Sequence, residues 1–175
     1  RAPKPPSPPW KWSACWARSA DCPGRMSKAA HNTLAAERRK ARHYGMQALY
    51  QWHMAGASLA AIEAEFRADY DFSHVDLEYF QALLHGVPAC VDALEAILEP
   101  LLDRKLSELD PIERTLLRMG TFELAHRPDV PYKVVINEAV SLAKKFGATD
   151  GHKYINGVLD KVARELRKVE IDAAS

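Results

Sequence analysis

The chain has 175 residues, of which 47% are hydrophobic and 27% charged, a composition that fits one globular domain with its own core. Charged residues interrupt its apolar runs well before the roughly 20 residues that a transmembrane helix needs, so no membrane partner is predicted. Three cysteines without a Cys-x-x-Cys pair predict neither a disulfide framework nor a zinc site, and a reducing cytoplasm is the expected compartment.

The formal net charge of +1 hides a segregated pattern. Residues 26–42 carry five Lys or Arg and one Glu, whereas residues 43–130 carry fifteen acidic residues and six basic ones. Such stretches are often solvated helix faces. They also fit two partners of opposite charge, for example a nucleic acid and a basic protein.

Composition divides the chain into three segments. Residues 1–30 are predicted to be a disordered or non-native N-terminal tail, because five of the first nine residues are proline and the next ones lack helical periodicity. We expect the functional protein to begin near Met26. Residues 31–170 form the predicted helical domain, and residues 171–175 form a C-terminal tail.

Apolar residues recur at helical spacing from Asn32 onward, and no alternating run of β-branched residues predicts a strand. The sequence therefore predicts an all-α fold with no sheet. The first helix covers about residues 33–55 and ends at Gly56, a residue typical of helix C-termini. Ser58 is expected to begin the second helix.

A long apolar pattern occupies residues 77–98. Ser73, with Asp76 three residues later, resembles a capping box that begins this helix. Gly86 and Pro88 are expected to kink or split the helix. One straight helix over the whole range is therefore not predicted.

Three further helices are marked in the second half of the chain. The DPIE motif at residues 110–113 combines a capping aspartate, a proline at the first helical position and a carboxylate in the first turn. Another helix follows from Pro131, and Gly147 ends it. Asp150 is predicted to cap the last helix, whose basic residues, Arg167 among them, lie off its apolar face or at its end.

Four cations lie close together near the predicted start of the first helix. They are Arg38, Arg39, Lys40 and Arg42. At a helix start the macrodipole is positive and disfavours each cation by roughly 0.3–1 kcal/mol, so helix stability does not explain them. Arg forms forked bonds to phosphate, and phosphate contacts dominate nucleic-acid affinity. We interpret the four residues as a phosphate-binding surface, with a solvated basic face as the alternative.

Residues 150–154 form a polar and aromatic start to the last predicted helix. Unpaired bases can stack on a tyrosine ring such as that of Tyr50 or Tyr154, which contributes about 1–3 kcal/mol per base. A carboxylate such as that of Asp150 can accept hydrogen bonds from base amino groups. The alternative is that both tyrosines lie at the edge of the core with a hydrated hydroxyl.

Motifs of catalysis are missing from the sequence. It contains no G-x-S-x-G, no H-E-x-x-H, no P-loop and no G-x-G-x-x-G. His74 and Glu78 are spaced to share a metal on one helix, but such a pair is expected by chance among many acids and histidines. The sequence therefore predicts a protein that is not an enzyme and has no metal or cofactor.

Three motifs in this chain resemble the NusB family. They are ARHYGMQALYQW at residues 41–52, LDPIERTLLRMGTFEL at residues 109–124, and DVPYKVVINEAVSLAKKFGATDGHKYINGVLDKVA at residues 129–163. The resemblance extends from about Arg38 to Arg167. It implies about seven helices in two small packed bundles and a non-enzymatic role in transcription antitermination.

The resemblance also implies partners and contact residues. Members bind single-stranded boxA RNA together with ribosomal protein NusE, within the RNA polymerase antitermination complex that transcribes ribosomal RNA operons. The implied NusE contact falls on Glu113. The implied RNA contacts fall on Arg38, Arg39, Lys40, Arg42, Tyr50, Asp150, Lys153 and Tyr154. The family more often has Phe where this chain has Tyr154 and commonly has Ser where it has Gly151.

Two other classes of protein share some of these features. One is a stand-alone NusB-like RNA-binding module of an rRNA-modifying enzyme. We do not expect this class, because the chain ends at Ser175 with no methyl-donor domain. The other is a helix-turn-helix repressor, suggested by Phe146-Gly147 and a polar turn, although the helix after that turn carries mostly core-type residues. The pattern of the helix faces fits a homodimer as well as a monomer.

Overall fold

The computed structural model describes residues 27–147 and 149–175, and this part of the chain folds into eight α-helices without a strand. The predicted all-α fold is confirmed. Two 3-10 turns, Glu99–Leu101 and Leu106–Glu108, connect the fourth helix to the fifth. The helices are α1 (Lys28–Ala55), α2 (Leu59–Asp69), α3 (Leu77–Ala89), α4 (Val91–Leu98), α5 (Pro111–His126), α6 (Tyr132–Phe146), α7 (Gly151–Leu166) and α8 (Lys168–Ala173).

The first helix begins earlier than its apolar pattern predicts. α1 starts at Lys28, and the side-chain oxygen of Ser27 accepts a hydrogen bond from the backbone N–H of Ala30 at 3.2 Å. This cap satisfies one of the helix-start donors that otherwise lack a partner. The helix ends as predicted before Gly56, whose φ of 64° lies in the left-handed region that favours glycine.

The predicted segment boundaries lie partly outside the described residues. Residues 1–26, and with them the expected start near Met26, belong to the part of the chain that the structure does not describe. The rest of the predicted N-terminal tail, through residue 30, includes the first turn of α1. At the other end, α8 continues to Ala173 and so extends into the predicted tail over residues 171–175.

The residue that caps α3 differs from the predicted one. The carboxylate of Asp76 accepts a hydrogen bond from the backbone N–H of Tyr79 at 3.0 Å, so Asp76 is the cap. Ser73 instead donates its backbone N–H to Asp71 at 2.9 Å, in the turn that precedes the helix. The capping box predicted from Ser73 is wrong, because this local turn holds Ser73 outside the helix.

The apolar run after this cap is split into two helices, as predicted. Pro88 lies inside α3, and the break falls at Cys90. Among the described residues, no single helix is long and apolar enough to cross a membrane. The pair Leu77–Ala89 and Val91–Leu101 reaches that length and composition together, across a bend of 76°, and many of its apolar side chains are buried in the protein core.

One helix joins two groups of helices. α1, α2 and α3 pack against one another, and α6 and α7 pack against each other and against α5. α5 also contacts α1, α3 and α4, so it belongs to both groups. This arrangement agrees with the two small bundles that were expected, and their buried side chains form one continuous core around α5.

Two glycines allow close approach between α5 and its neighbours. A Cβ placed on Gly86 of α3 would lie 2.5 Å from the ring of Phe122 on α5. A Cβ placed on Gly120 of α5 would lie 2.9 Å from Leu159 on α7. Both distances are too short for an ordinary contact, so a larger residue at either position would push the helices apart.

A buried arginine closes the C-terminal end of α5. Arg167, which follows α7, is only 8% exposed. The last carbonyls of a helix lack partners within it, and this guanidinium supplies donors to them. The sequence indicates only that the residue lies off an apolar face or at a helix end. Arg167 donates to the backbone oxygens of Leu124 and Arg127, both at 2.7 Å, Val130 at 3.0 Å and Glu123 at 3.2 Å.

Candidate nucleic-acid interface

The basic cluster predicted at a helix start lies in the interior of α1 instead. Because α1 begins at Lys28, residues 38–42 lie more than two turns from its N-terminus. The macrodipole acts mainly within the first turn, so the electrostatic penalty expected from the sequence does not apply to them. The contacts of each cation therefore decide whether it is available to a ligand.

Arg42 is directed into the core. Only 3% of its side chain is exposed, and its Nε donates to the Glu123 carboxylate at 2.9 Å while Nη2 donates to the Tyr79 hydroxyl at 3.2 Å. Burial opposes the charge, but the charges and hydrogen bonds of Glu123 and Tyr79 together outweigh burial and raise the pKa of the Arg42 guanidinium. The geometry argues against the predicted RNA contact of Arg42, because a guanidinium committed to a buried carboxylate is not available to a phosphate.

Arg38 lies one turn before Arg42 and also faces the protein. About a fifth of its side chain is exposed, and it forms ion pairs with Asp76 at 3.5 Å and with Asp129 at 3.1 Å. Its guanidinium lies over the Tyr79 ring, 5.0 Å from the centroid. A phosphate could reach Arg38 only by competing with these two carboxylates.

Arg39 and Lys40 are the two cations of the cluster that face solvent. Arg39 is 69% exposed, and its Nε donates to the Glu138 carboxylate of α6 at 3.1 Å. Lys40 is exposed beside a shallow depression that Glu37 and His74 also line. The basic surface predicted from four residues therefore consists mainly of these two.

A stripe along α1 connects Arg39 to Tyr50. Arg39, His43 and Tyr50 are spaced to lie near one face of the helix, and Arg39 and Tyr50 are about 16 Å apart along its axis. The His43 ring packs 5.1 Å from that of Phe146, at the end of α6, and the Lys145 ammonium lies 3.5 Å from His43 Nδ1. Burial and the charge of Lys145 lower the pKa of His43. The stripe thus leads from the basic pair toward the end of α6.

Tyr50 lies at one side of an apolar groove of about 540 Å³. The groove runs between α1, α2, α5 and the end of α6. The half-buried position of Tyr50 leaves part of its ring accessible from the groove. Other residues that line it include Met54, Phe66, Tyr70, Ile112 and Phe146.

Asp150 and Lys153 are mostly exposed at the start of α7. Asp150 holds the capping position, but its side chain makes no capping hydrogen bond. The predicted cap is therefore wrong, because the backbone of Asp150, with φ −111° and ψ 1°, lacks the extended geometry that a capping side chain uses. Its carboxylate instead lies 3.6 Å from the Lys153 ammonium. Both groups are accessible to a ligand.

Tyr154 is partly covered by two residues that the sequence did not indicate. Its hydroxyl donates to the Asp103 carboxylate at 2.9 Å, and the Arg104 guanidinium lies over its ring, 4.6 Å from the centroid. Burial and the hydrogen bond to Asp103 raise the pKa of Tyr154. Hydrogen bonds from Arg104 and Tyr154 lower the pKa of the Asp103 carboxyl. The ring therefore belongs to a small polar cluster with the turn after α4.

Glu113 contacts the start of α7 directly. A Cβ placed on Gly151 would lie 2.7 Å from Oε1 of Glu113, so the glycine makes room for this carboxylate. Burial and the nearby Asp110 raise the pKa of the Glu113 carboxyl. A residue with a Cβ at position 151 would require the Glu113 side chain to move.

Comparison with known proteins assigns the chain to one family. The sequence profile of the NusB family matches residues 39–164. The chain belongs to the NusB family. It is 56% identical to the transcription antitermination protein NusB of Hahella chejuensis over 149 residues, which cover 85% of this chain and 97% of the relative. It is 60% identical to the Teredinibacter turnerae protein of the same name over 141 residues, which cover 80% and 96%.

The fold also resembles a solved NusB structure. NusB from T. maritima superposes with a TM-score of 0.63 at 26% identity, covering 73% of this chain and 91% of that one. The two relatives are matched over nearly their whole length, and both are transcription antitermination proteins. This protein is therefore a transcription antitermination factor. The repressor alternative loses support, since Ile155, Val158 and Leu159 of α7 are buried in the core.

The NusB fold brings some of the predicted contact residues together and separates others. Ile112 lines the groove beside Tyr50, and the next residue, Glu113, lies against the start of α7. Tyr50, Glu113 and Asp150 therefore lie around one end of the molecule. Arg39 contacts the middle of α6 instead, more than two turns of α1 away. The sequence analysis missed four further residues near the predicted contacts. Asp103 and Arg104 contact Tyr154, and Lys145 contacts His43 on the stripe. Only their charge or ring marks these residues in the sequence.

Proposed function

We propose that this transcription antitermination factor binds boxA-type single-stranded RNA together with ribosomal protein NusE, within the RNA polymerase complex that transcribes ribosomal RNA operons. The observation that supports RNA binding is on α1, which presents the exposed cations Arg39 and Lys40 and, farther along the helix, the partly exposed ring of Tyr50. Single-stranded nucleic acid is held by this combination of phosphate neutralisation and base stacking. The proposed role is non-catalytic and belongs to the cytoplasm, where bacterial transcription takes place.

The RNA backbone is proposed to follow the stripe on α1. Arg39 and Lys40 neutralise phosphates, and Lys145 continues the positive surface at the end of α6. A phosphate that binds Arg39 competes with the Glu138 carboxylate for the guanidinium. This competition is weak, because Arg39 is mostly exposed and water screens the pair. Arg38 is expected to contribute less than Arg39 and Lys40, because Asp76 and Asp129 pair with its guanidinium and offset its charge.

The bases are proposed to contact the groove and the start of α7. Tyr50 offers part of its ring for stacking, and Tyr154, although Arg104 lies over its ring, lines a concavity that leaves part of it accessible. The exposed carboxylate of Asp150 is an acceptor for a base amino group, and the ammonium of Lys153 is a donor to phosphate or to a base oxygen. These four residues stay predictions as RNA contacts.

NusE is proposed to bind at Glu113, which belongs to the acidic segment 43–130. An excess of acidic residues in this segment suits a basic partner, although some of them, such as the buried Glu123, are already paired within the protein. Glu113 lies against the start of α7. A partner that pairs with Glu113 would lie beside bound RNA. This closeness gives a physical reason for RNA and NusE to strengthen each other's binding.

A titration of fluorescently labelled boxA RNA tests the proposed function. The protein alone is expected to bind weakly and with a marked dependence on salt, and added NusE is expected to tighten the binding. A scrambled RNA of equal length serves as the control. Equal affinity for the two RNAs in the presence of NusE would contradict boxA recognition.

Replacing both Arg39 and Lys40 by Ala is expected to weaken binding to boxA and scrambled RNA alike. The slope of log affinity against log salt should fall by about 0.7 for each lost phosphate contact. The free energy of unfolding should change little, because both side chains are exposed. A variant with Lys133 and Lys168 replaced by Ala removes the same charge elsewhere and should bind nearly as the natural sequence does. An unchanged slope in the first variant would sink the assignment.

Replacing Glu113 by Gln is expected to weaken NusE binding about tenfold, because a charged hydrogen bond is lost. RNA binding in the absence of NusE should be unaffected. Calorimetric titration with NusE measures the effect, and Glu108→Gln, which removes an exposed acid from the preceding turn, is the matched control. Equal losses in the two variants would show that only net charge matters.

A further inference from the structure

Gly157 is an exposed glycine in the middle of α7, and packing does not explain it. Apart from its chain neighbours and the adjacent backbone of α7, a Cβ placed there would meet no atom of the described residues within 4 Å. Glycine in a helix interior is destabilising relative to alanine because it loses more conformational freedom on folding. The close helix contacts that explain Gly86 and Gly120 are not found here. A bare stretch of backbone at this position suits the close approach of a ligand.

A concavity of about 230 Å³ lies over this glycine. α7 forms one wall, and the turn after α4 forms the other. Arg104 contacts the Tyr154 ring but does not line the concavity. The residues that line it are Leu101, Asp103, Lys153, Tyr154, Gly157, Val158 and Lys161.

The chemistry of this lining fits a nucleotide. Lys153 and Lys161 are exposed cations two turns apart on α7, and Tyr154 lies between them in sequence. Ammonium groups bind phosphate oxygens, and a tyrosine ring stacks on a base or packs against a ribose. Asp103 and Asp150 are the nearby carboxylates, and Asp150 lies 3.6 Å from Lys153. The neighbouring carboxylate of Asp160 is paired with Arg164 at 3.0 Å, so it does not compete with a phosphate for Lys161.

We propose that the concavity binds one nucleotide of single-stranded RNA, with Lys161 on its phosphate and Gly157 beneath its base or ribose. The inference rests on the proposed function and extends the RNA surface along α7, past the contacts at the start of that helix. The two lysines disfavour a basic protein such as the proposed NusE partner at this position. Neither Lys161 nor Gly157 is among the contacts that the family resemblance implies.

Lys161→Ala is the first test, with Arg164→Ala as its control. Both variants remove one exposed cation from α7, but only Lys161 lines the concavity. For Lys161→Ala, we expect weaker binding of labelled boxA RNA and a salt slope lower by about 0.7, the value for one phosphate contact on single-stranded RNA. Arg164→Ala should leave the slope unchanged. Equal slopes in the two variants would overturn the proposal.

Gly157→Ala is the second test, and it separates binding from folding. The added methyl group stabilises the helix, so the melting temperature should rise. The same methyl group occupies the concavity, so RNA affinity should fall about tenfold, within the range of losing one base contact. Asn156→Ala changes the neighbouring exposed residue, which does not line the concavity, and should keep full affinity.

The outcomes separate this proposal from the proposed function. If the natural sequence binds boxA RNA and both variants bind it equally well, the nucleotide site is overturned while the proposed function stands. If the variants change NusE binding and leave RNA binding intact, the concavity belongs to a protein partner and the proposal is again overturned. Failure of the natural sequence to bind RNA, with or without NusE, would overturn both.

Discussion

Replacing Arg42 by Met is expected to lower the free energy of unfolding by about 3–5 kcal/mol, the usual cost of removing one partner of a buried ion pair. The Glu123 side chain is only 2% exposed, so its carboxylate would be left without its guanidinium and without water. The Tyr79 hydroxyl would lose a donor at the same time. Urea denaturation followed by circular dichroism measures the change.

Two controls identify the buried pair as the cause. Arg39→Met removes a neighbouring arginine that is 69% exposed, and because water screens its pair with Glu138, the change should cost less than about 1 kcal/mol. The double variant with Arg42→Met and Glu123→Leu removes both charges and should recover most of the lost stability, because apolar side chains of similar size can replace a buried pair. If Arg42→Met were as stable as Arg39→Met, the structural role of Arg42 would be refuted.

Replacing Arg167 by Ala is expected to lower the free energy of unfolding by about 3 kcal/mol or more, since a buried carbonyl without a donor costs roughly 1–3 kcal/mol. The oxygens of Leu124 and Val130 would lose their donor, whereas those of Glu123 and Arg127 keep backbone N–H donors. The guanidinium donates to four backbone oxygens at the end of α5 and in the following turn, and it also pairs with Glu170 at 2.6 Å. Arg167→Lys should recover only part of the loss, because one ammonium cannot reproduce the planar set of donors.

Thermal unfolding measures this second effect. Arg164→Ala serves again as a control, because it removes an arginine of the same helix that is 73% exposed, and its melting temperature should stay close to that of the natural sequence. A melting temperature for Arg167→Ala within about 2 °C of that control would contradict the capping role.

Periodicity and caps predicted most of the helices. Ser58 and Asp110 cap α2 and α5 as expected, and Gly147 follows α6, because these signals act over three or four residues. The start of α1 was placed too late, since its first turns carry few apolar residues and the cap at Ser27 precedes them. Local signals therefore predicted where helices exist better than where they begin.

The candidate site was less predictable, because charge alone does not tell which way a side chain faces. Arg39 and Arg42 belong to one run of cations, yet only the second meets a buried carboxylate, and that carboxylate lies 81 residues away on another helix. Tyr154 likewise depends on Asp103, which is 51 residues distant. No spacing rule within a single helix contains these partners. The NusB resemblance predicts the region of RNA contacts, and only the fold divides its residues between core and surface.

The burial of α5 restricts where that helix can act. Every residue from Thr115 to Leu124 is buried, so the middle of the helix has no side exposed to solvent. A substitution there is a test of packing, whatever the chemistry of the new side chain. Any part that α5 plays in recognition must come from its two ends, and of these the N-terminal end carries Glu113 beside the start of α7. Adaptation to new partners is therefore confined to the helix termini, while the helix middle preserves the shape that both bundles share.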